Sequence, residues 1–228
     1  MSKVLSFTII FLLGAFLGWG TSQSYGTGAM SQTGQQIGVG GGPADEETTP
    51  RPDALSTRLL VNNLFREHGT LATLHMQALY DGKDTKPTSQ LLETNAQQVA
   101  SIIGSVYGDS ARTDFLSMWK QHISLYEEYT KALKAKDTQE QKTVREKLAA
   151  LSEDMGKMVH QMSPNFSQAM VTKLMREHVT LTLSIIDAYA ANDQDEFITT
   201  IKTAADQASR FSQYIFDGMQ DAKPQAFK

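Results

Sequence analysis

The chain has 228 residues, with 21 lysines and arginines against 25 aspartates and glutamates, for a formal net charge of −4. Its basic residues are scattered, so the concentrated positive surface that a nucleic acid requires is missing and no nucleic-acid partner is expected. It contains no cysteine, which excludes disulfides, thiolate metal sites, iron–sulfur clusters and cysteine nucleophiles.

Lys3 precedes an uncharged apolar run over residues 4–19. A basic residue followed by such a run is the pattern of a secretory signal or a membrane anchor. At 16 residues the run is longer than a usual signal core and a little short of the ~20 that span a bilayer comfortably. No Ala-x-Ala cleavage site follows, and the only small-residue alternatives lie around Gly18-Trp19-Gly20 and Ser22-Gln23-Ser24. The expected arrangement is a single uncleaved anchor within residues 1–20, with the membrane as its partner through residues 4–19. Lys3 would stay on the cytoplasmic side and send the remainder across. A cleaved signal, releasing a periplasmic or secreted protein, is the alternative.

Residues 21–54 are rich in Gly, Ser, Thr, Gln and Pro, including Gly40-Gly41-Gly42 and Pro50-Arg51-Pro52. Such a segment carries too little apolar surface to offset its ordering entropy, and a disordered tether is expected there. The folded domain is placed at 55–228. From Leu55 onward apolar residues recur three and four apart and nowhere alternate, which is the helical period. Examples are Leu64, Leu71 and Leu74, and Leu148, Leu151, Met155, Met158 and Met162. Turn chemistry at 81–84, 107–109, 136–137, 163–165 and 192–193 cuts this pattern into six helices over about 56–80, 87–106, 111–135, 138–161, 166–191 and 194–219. The expected class is all-α: a six-helix bundle with short connections, large enough for one core.

Three segments align without gaps: Leu64-Phe65-Arg66-Glu67-His68, Met118-Trp119-Lys120-Gln121-His122 and Leu174-Met175-Arg176-Glu177-His178. Their histidines are 54 and 56 residues apart, and each continues helically to an acidic turn. The pattern predicts three repeated antiparallel helical hairpins, each opened by a His-bearing helix. First helices of successive hairpins then run in one direction, and the three histidines fall at similar depth. Each follows an apolar residue by four and precedes a leucine by three, so all three are expected to face the core.

Imidazole is the commonest protein ligand for transition metals, and three of them leave a position open on Zn, Cu or Fe. His68, His122 and His178 are therefore the candidate metal ligands, with His75, Asn95 and Asp154 as supporting or alternative ones. Asn95 sits in the apolar stripe of Leu91, Leu92, Val99 and Ile102, where an amide needs a partner. His75 lies seven residues beyond His68, and Asp154 at the margin of the Leu151–Met155–Met158 stripe. Glu67 and Glu177 project about 100° from their neighbouring histidines, toward other helices or solvent. No Glu precedes His68, His122 or His178 by three, so a ferritin-like di-iron site is excluded. Nucleotide-binding, nucleophile-elbow and His-Glu-x-x-His patterns are absent too. The opposing interpretation is a non-catalytic structural or interaction module of the envelope whose core histidines are hydrogen-bonded internally. A metal-dependent redox or oxygen-handling enzyme is the third.

Leu64 to His68, Asn95, Tyr107-Gly108, Trp119 to His122, Ser163-Pro164-Asn165 and Arg176 to His178, spread over residues 59–219, resemble a family of poorly characterised bacterial all-helical proteins. Members of that family tend to stand behind an N-terminal signal or anchor and to open with Leu-Trp-x-x-His followed by an aromatic and Arg. Here Phe65 replaces the Trp, and Gly69 to Leu74 lack the aromatic–Arg continuation. The resemblance implies the helical fold and draws attention to His68, Asn95, His122 and His178; it brings no activity with it.

Overall fold

The structure, a computed structural model, describes residues 53–227. The expected anchor and the expected tether as far as residue 52 lie outside the described residues. Among the described residues no helix is long and apolar enough to cross a membrane.

The protein is all-α. The described residues form six helices, α1 (Ala54–Asp81), α2 (Lys86–Tyr107), α3 (Asp109–Ala135), α4 (Thr138–Met162), α5 (Gln168–Ala191) and α6 (Gln194–Ala222), followed by a short 3₁₀ turn over Pro224–Phe227. Four of them begin on a side-chain cap. The carboxylates of Asp53, Asp137 and Asp193 and the hydroxyl of Ser167 accept the N–H groups of Ser56, Glu140, Glu196 and Met170. These bonds satisfy donors that a helix start leaves free. The Asp53 cap starts α1 at Ala54, slightly earlier than the periodicity suggests. The Ser167 cap delays α5 to Gln168, while Phe166 turns into the core at 2% exposure.

Helices α1, α3 and α5 end alike. Gly82, Lys136 and Asn192 adopt left-handed backbone with φ of 75°, 58° and 58°. In each case the next two N–H groups fold back on the last turn: Gly82 to Leu79 and Lys83 to Ala78, Lys136 to Leu133 and Asp137 to Ala132, Asn192 to Tyr189 and Asp193 to Ala188. This is the Schellman arrangement, which stops a helix and reverses the chain. Each left-handed residue stands fourteen positions after a histidine, at 68, 122 and 178.

Each helix packs on its neighbours in sequence, α6 returns to α1, and α1, α3 and α5 also touch one another, which puts these three on the inside. The buried core draws on all six helices, with Leu64, Val99, Tyr126, Leu148, Val171 and Phe216 among its members. Leu74 and Leu91, placed on buried stripes by periodicity, are instead 45% and 52% exposed. The buried line of α1 runs through Val61, Leu64, Phe65, His68, Ala72, His75 and Met76. At about 100° per residue Leu74 falls well outside that line.

Candidate metal centre

Helices α1, α3 and α5 each carry one histidine to the middle of the bundle. His68 and His122 are 2% and 1% exposed, and His178 is partly buried. One ring nitrogen from each lies within 4.8 Å of the other two. His68 Nε2 and His122 Nε2 are 3.1 Å apart. The ring centroids of His68 and His122 are 5.1 Å apart, and His178 stands 6.1 Å from both. His178 is the looser member, and it would have to move most to close the cluster.

Aromatic rings wall the cluster. Trp119, one turn before His122, has its ring 4.7 Å from His68 and 5.0 Å from His122. Tyr126, one turn after it, lies 5.7 Å from His122 and 6.3 Å from His178. Phe115 stacks on Trp119 at 5.1 Å, and Phe65 meets it edge-on at 5.6 Å. In surroundings of this kind an imidazolium is poorly solvated. Burial pushes His68 down to about 3, with the nearby His178 adding to the effect. Burial also takes His178 down to about 4, against Gln207, which favours its charged form. Burial and then His68 and His178 hold His122 well below the usual imidazole range, opposed by the Trp119 and Met118 carbonyls. All three rings are neutral at pH 7, with lone pairs available to a metal and no proton to displace.

The other sequence candidates are placed differently. His75 is buried two turns along α1 but has both nitrogens engaged, Nδ1 with Thr88 Oγ1 at 2.9 Å and Nε2 with Glu127 Oε1 at 3.0 Å. It ties α1 to α2 and α3 and stands apart from the cluster. Asp154 is on the solvent side of α4, paired with Lys157 at 3.0 Å. The buried line of that helix runs through Leu148, Leu151, Ser152, Met155 and Val159, so periodicity placed Asp154 one position too near the core. Asn95, 1% exposed, donates Nδ2 to the Leu64 carbonyl and to Glu67 Oε2, each at 2.9 Å. Its oxygen Oδ1, the atom by which an amide ligates a metal, has no partner. Glu67 and Glu177 both turn to neighbouring helices, toward Asn95 of α2 and Arg210 of α6. His160 is exposed, and its Nδ1 donates to the Phe166 carbonyl at 2.7 Å.

Sequence reasoning missed Gln207. This α6 side chain is fully buried and donates Nε2 to the Leu174 carbonyl at 2.9 Å. The available signal was the one that marked Asn95, an amide on an apolar stripe, here four residues before Phe211 and eight before Ile215.

Buried polar atoms without a partner gather at this level of the bundle. Among the described residues they include His68 Nδ1, His122 Nδ1, Asn95 Oδ1, Gln207 Oε1, Trp119 Nε1 and Tyr126 OH. Leaving one such group unpaired costs about 1–3 kcal/mol, so this concentration of them calls for an explanation. Thr172 Oγ1, also unpartnered, stands away from the cluster, facing Gly156 across the α4–α5 contact, where a Cβ on that glycine would meet it.

No family model, curated protein or solved structure matches the chain.

Proposed function

We propose that the chain is a membrane-tethered, extracytoplasmic helical bundle that binds one transition-metal ion through His68, His122 and His178. The observation that carries this reading is the approach of three neutral imidazoles, one nitrogen from each within 4.8 Å of the rest. Two ligand nitrogens on a tetrahedral zinc ion at ~2.0–2.1 Å stand about 3.3 Å apart, and the His68–His122 separation of 3.1 Å is close to that. Imidazole suits Zn²⁺, Cu²⁺ and iron, with Cu²⁺ bound most tightly among the divalent ions, and three rings leave one position for water or a small ligand. The equal offset from each histidine to its left-handed helix terminator supports reading the domain as three repeated antiparallel hairpins, each contributing one ligand. The tether and its orientation rest on Lys3 and the apolar run over 4–19 alone.

A second reading is favoured by the same short distance. A neutral pair can share one proton as an Nε2–H···Nε2 hydrogen bond, making the cluster a structural element of an envelope module. That arrangement puts the acceptor ring's proton on Nδ1, and in the structure neither His68 Nδ1 nor His122 Nδ1 makes a hydrogen bond; a metal on both Nε2 atoms would put a proton on both.

Elemental analysis of untagged full-length protein tests the proposal. One equivalent of zinc, copper or iron is expected in the wild type and none in a His68→Ala/His122→Ala/His178→Ala variant. Metal-free wild type whose melting temperature ignores added Zn²⁺ and Cu²⁺ would leave the structural reading standing. Retention in the membrane pellet after an alkaline wash, with an intact N-terminus by mass, tests the anchor.

A further inference from the structure

Two amides on outer helices relate in the same way to the first and third histidines. Asn95 of α2 donates to the carbonyl of Leu64, four residues before His68. Gln207 of α6 donates to the carbonyl of Leu174, four residues before His178. Each target carbonyl is also the acceptor of the histidine's own backbone N–H in an α-helix, so each amide is anchored one turn from an imidazole. Both side chains are buried, at 1% and 0% exposure, and both amide oxygens, Asn95 Oδ1 and Gln207 Oε1, lack a donor. His68 Nδ1 likewise lacks a partner. Helix α4 brings no amide to the Met118 carbonyl, four residues before His122; its Gln141 amide reaches α3 at the Ala132 carbonyl instead, at 3.5 Å, and its buried polar residue is Ser152, whose hydroxyl bonds to Leu148 of the same helix.

This has a consequence if a metal is bound. A neutral imidazole that gives one nitrogen's lone pair to a metal must carry its proton on the other nitrogen. Metal-bound histidines almost always donate that proton to an oxygen, which fixes the ring and raises its basicity. With His68 Nε2 turned toward His122, the proton of the metal-bound form belongs on His68 Nδ1. An unpartnered ring nitrogen and an unpartnered amide oxygen are then present on adjoining helices, the amide being held at the carbonyl four residues before the histidine.

We infer that Asn95 and Gln207 are positioning residues of the metal centre, their amide oxygens accepting the outer N–H of His68 and His178 and so directing the inner nitrogens to the ion. This rests on the metal-binding reading above. The amide nitrogen of each is held by a backbone carbonyl, which fixes the orientation of the amide and leaves its oxygen free to accept. Gln207 is close enough to His178 to favour its protonated form, although no hydrogen bond is closed. The two contacts tighten when the metal sets the tautomer.

The test uses full-length protein and Zn²⁺ as the probe, with affinity read by competition against a chromophoric chelator. Asn95→Leu and Gln207→Leu should each weaken zinc binding 10–100-fold while leaving one site per chain. Asn95→Asp loses the donor to the Leu64 carbonyl and sets a carboxylate against Glu67, so it too should weaken zinc binding. Imidazole ¹⁵N spectra supply a readout that a merely structural amide would not move. Zinc-bound wild type should show His68 protonated at Nδ1 and metal-shifted at Nε2, and Asn95→Leu should broaden or lose that pattern. The spectrum of the wild type stands even if a leucine variant fails to fold. Unchanged zinc affinity in folded leucine variants, or a metal-shifted His68 Nδ1 in the wild type, overturns the positioning roles alone. Failure of the wild type to take up zinc, copper or iron overturns the metal reading and this inference with it.

Discussion

Acidifying the metal-free protein from pH 7 to pH 5 should remove a large part of its stability, and the loss should come from the central histidines. Their folded values are about 3 for His68 and about 4 for His178, with His122 also well below the ordinary imidazole value of 6.5. A group whose folded value is depressed takes up its proton first in the unfolded chain. Its contribution is therefore intact above about pH 6.5 and drains away as the pH falls toward the folded value. At pH 5 an unfolded imidazole is more than nine-tenths protonated, while these three remain almost wholly neutral in the folded state. Relative to pH 7 this amounts to about 2 kcal/mol per ring, or about 6 kcal/mol for three. Domains of this kind hold only about 5–15 kcal/mol in total.

The window is specific to imidazole. Glu93, held low by its bond to Lys120, and Glu127, held low by its bond to His75, lose their contributions only below the carboxylate value of about 4.5. Among the described residues the cluster is three imidazoles without a carboxylate, walled by the Trp119 and Tyr126 rings, with the Gln207 amide acting on His178. Urea unfolding in chelator at half-unit steps from pH 7.5 to 5 should show stability falling by up to about 4 kcal/mol per pH unit at constant m-value. His178→Gln should remove about a third of that slope. A slope below about 1.4 kcal/mol per pH unit, or an equal slope in the triple alanine variant, would refute the assignment of neutral buried rings.

Three other expectations follow from particular contacts. In a Trp19→Phe background, Cu²⁺ should quench the fluorescence of Trp119, whose ring is 4.7 Å from His68 and 5.0 Å from His122; emission unchanged after one equivalent of bound copper would place the ion elsewhere. Gly156→Ala should cost about 1–3 kcal/mol in urea unfolding, since its Cβ would meet the Thr172 hydroxyl and the Gln168 carbonyl where α4 and α5 approach. Glu127→Ala, which leaves Nε2 of the buried His75 without a partner, should cost about 1–3 kcal/mol; Lys131→Ala, which removes only an exposed ion pair to Glu127, should cost under about 1 kcal/mol by the same assay.

The helical class and the number of helices were legible because caps and breaks are local. Asp137 and Asp193 each follow a left-handed terminator and also cap the next helix, so a two-residue signal marks both an end and a start. Faces were less legible. Leu74 and Leu91 have the residue type of a core position, yet the orientation of each helix is set by the sum of its contacts, and these two lose to Phe65, His75, Leu92 and Asn95. The three histidines could be singled out because their apolar neighbours recur at the same offsets in each helix. Asp154 was misplaced for want of such an offset, since one helical step of 100° separates Met155 from the solvent side. Gln207 escaped because it lies outside the repeated five-residue segment, on a helix whose register against α5 no local pattern specifies.

The amides and the imidazoles share one energetic feature, and it separates the two readings of the cluster. A bundle core is at its most stable when filled with apolar side chains, and replacing a buried polar group whose partner is missing with an apolar one of similar shape can be neutral or stabilising. Asn95→Leu in the metal-free protein should therefore lower the melting temperature only modestly, because the lost bonds to the Leu64 carbonyl and Glu67 are partly offset by removal of the orphaned Oδ1. With zinc present, the same substitution should lower the melting temperature by more, because ligand-linked stabilisation grows with affinity and a 100-fold excess of metal over its dissociation constant adds about 2.7 kcal/mol. A structural amide in a proton-sharing histidine pair predicts the same loss with and without metal. The difference between the two melting shifts, measured on one variant with and without zinc, distinguishes a core arranged around an ion from one arranged around a hydrogen bond.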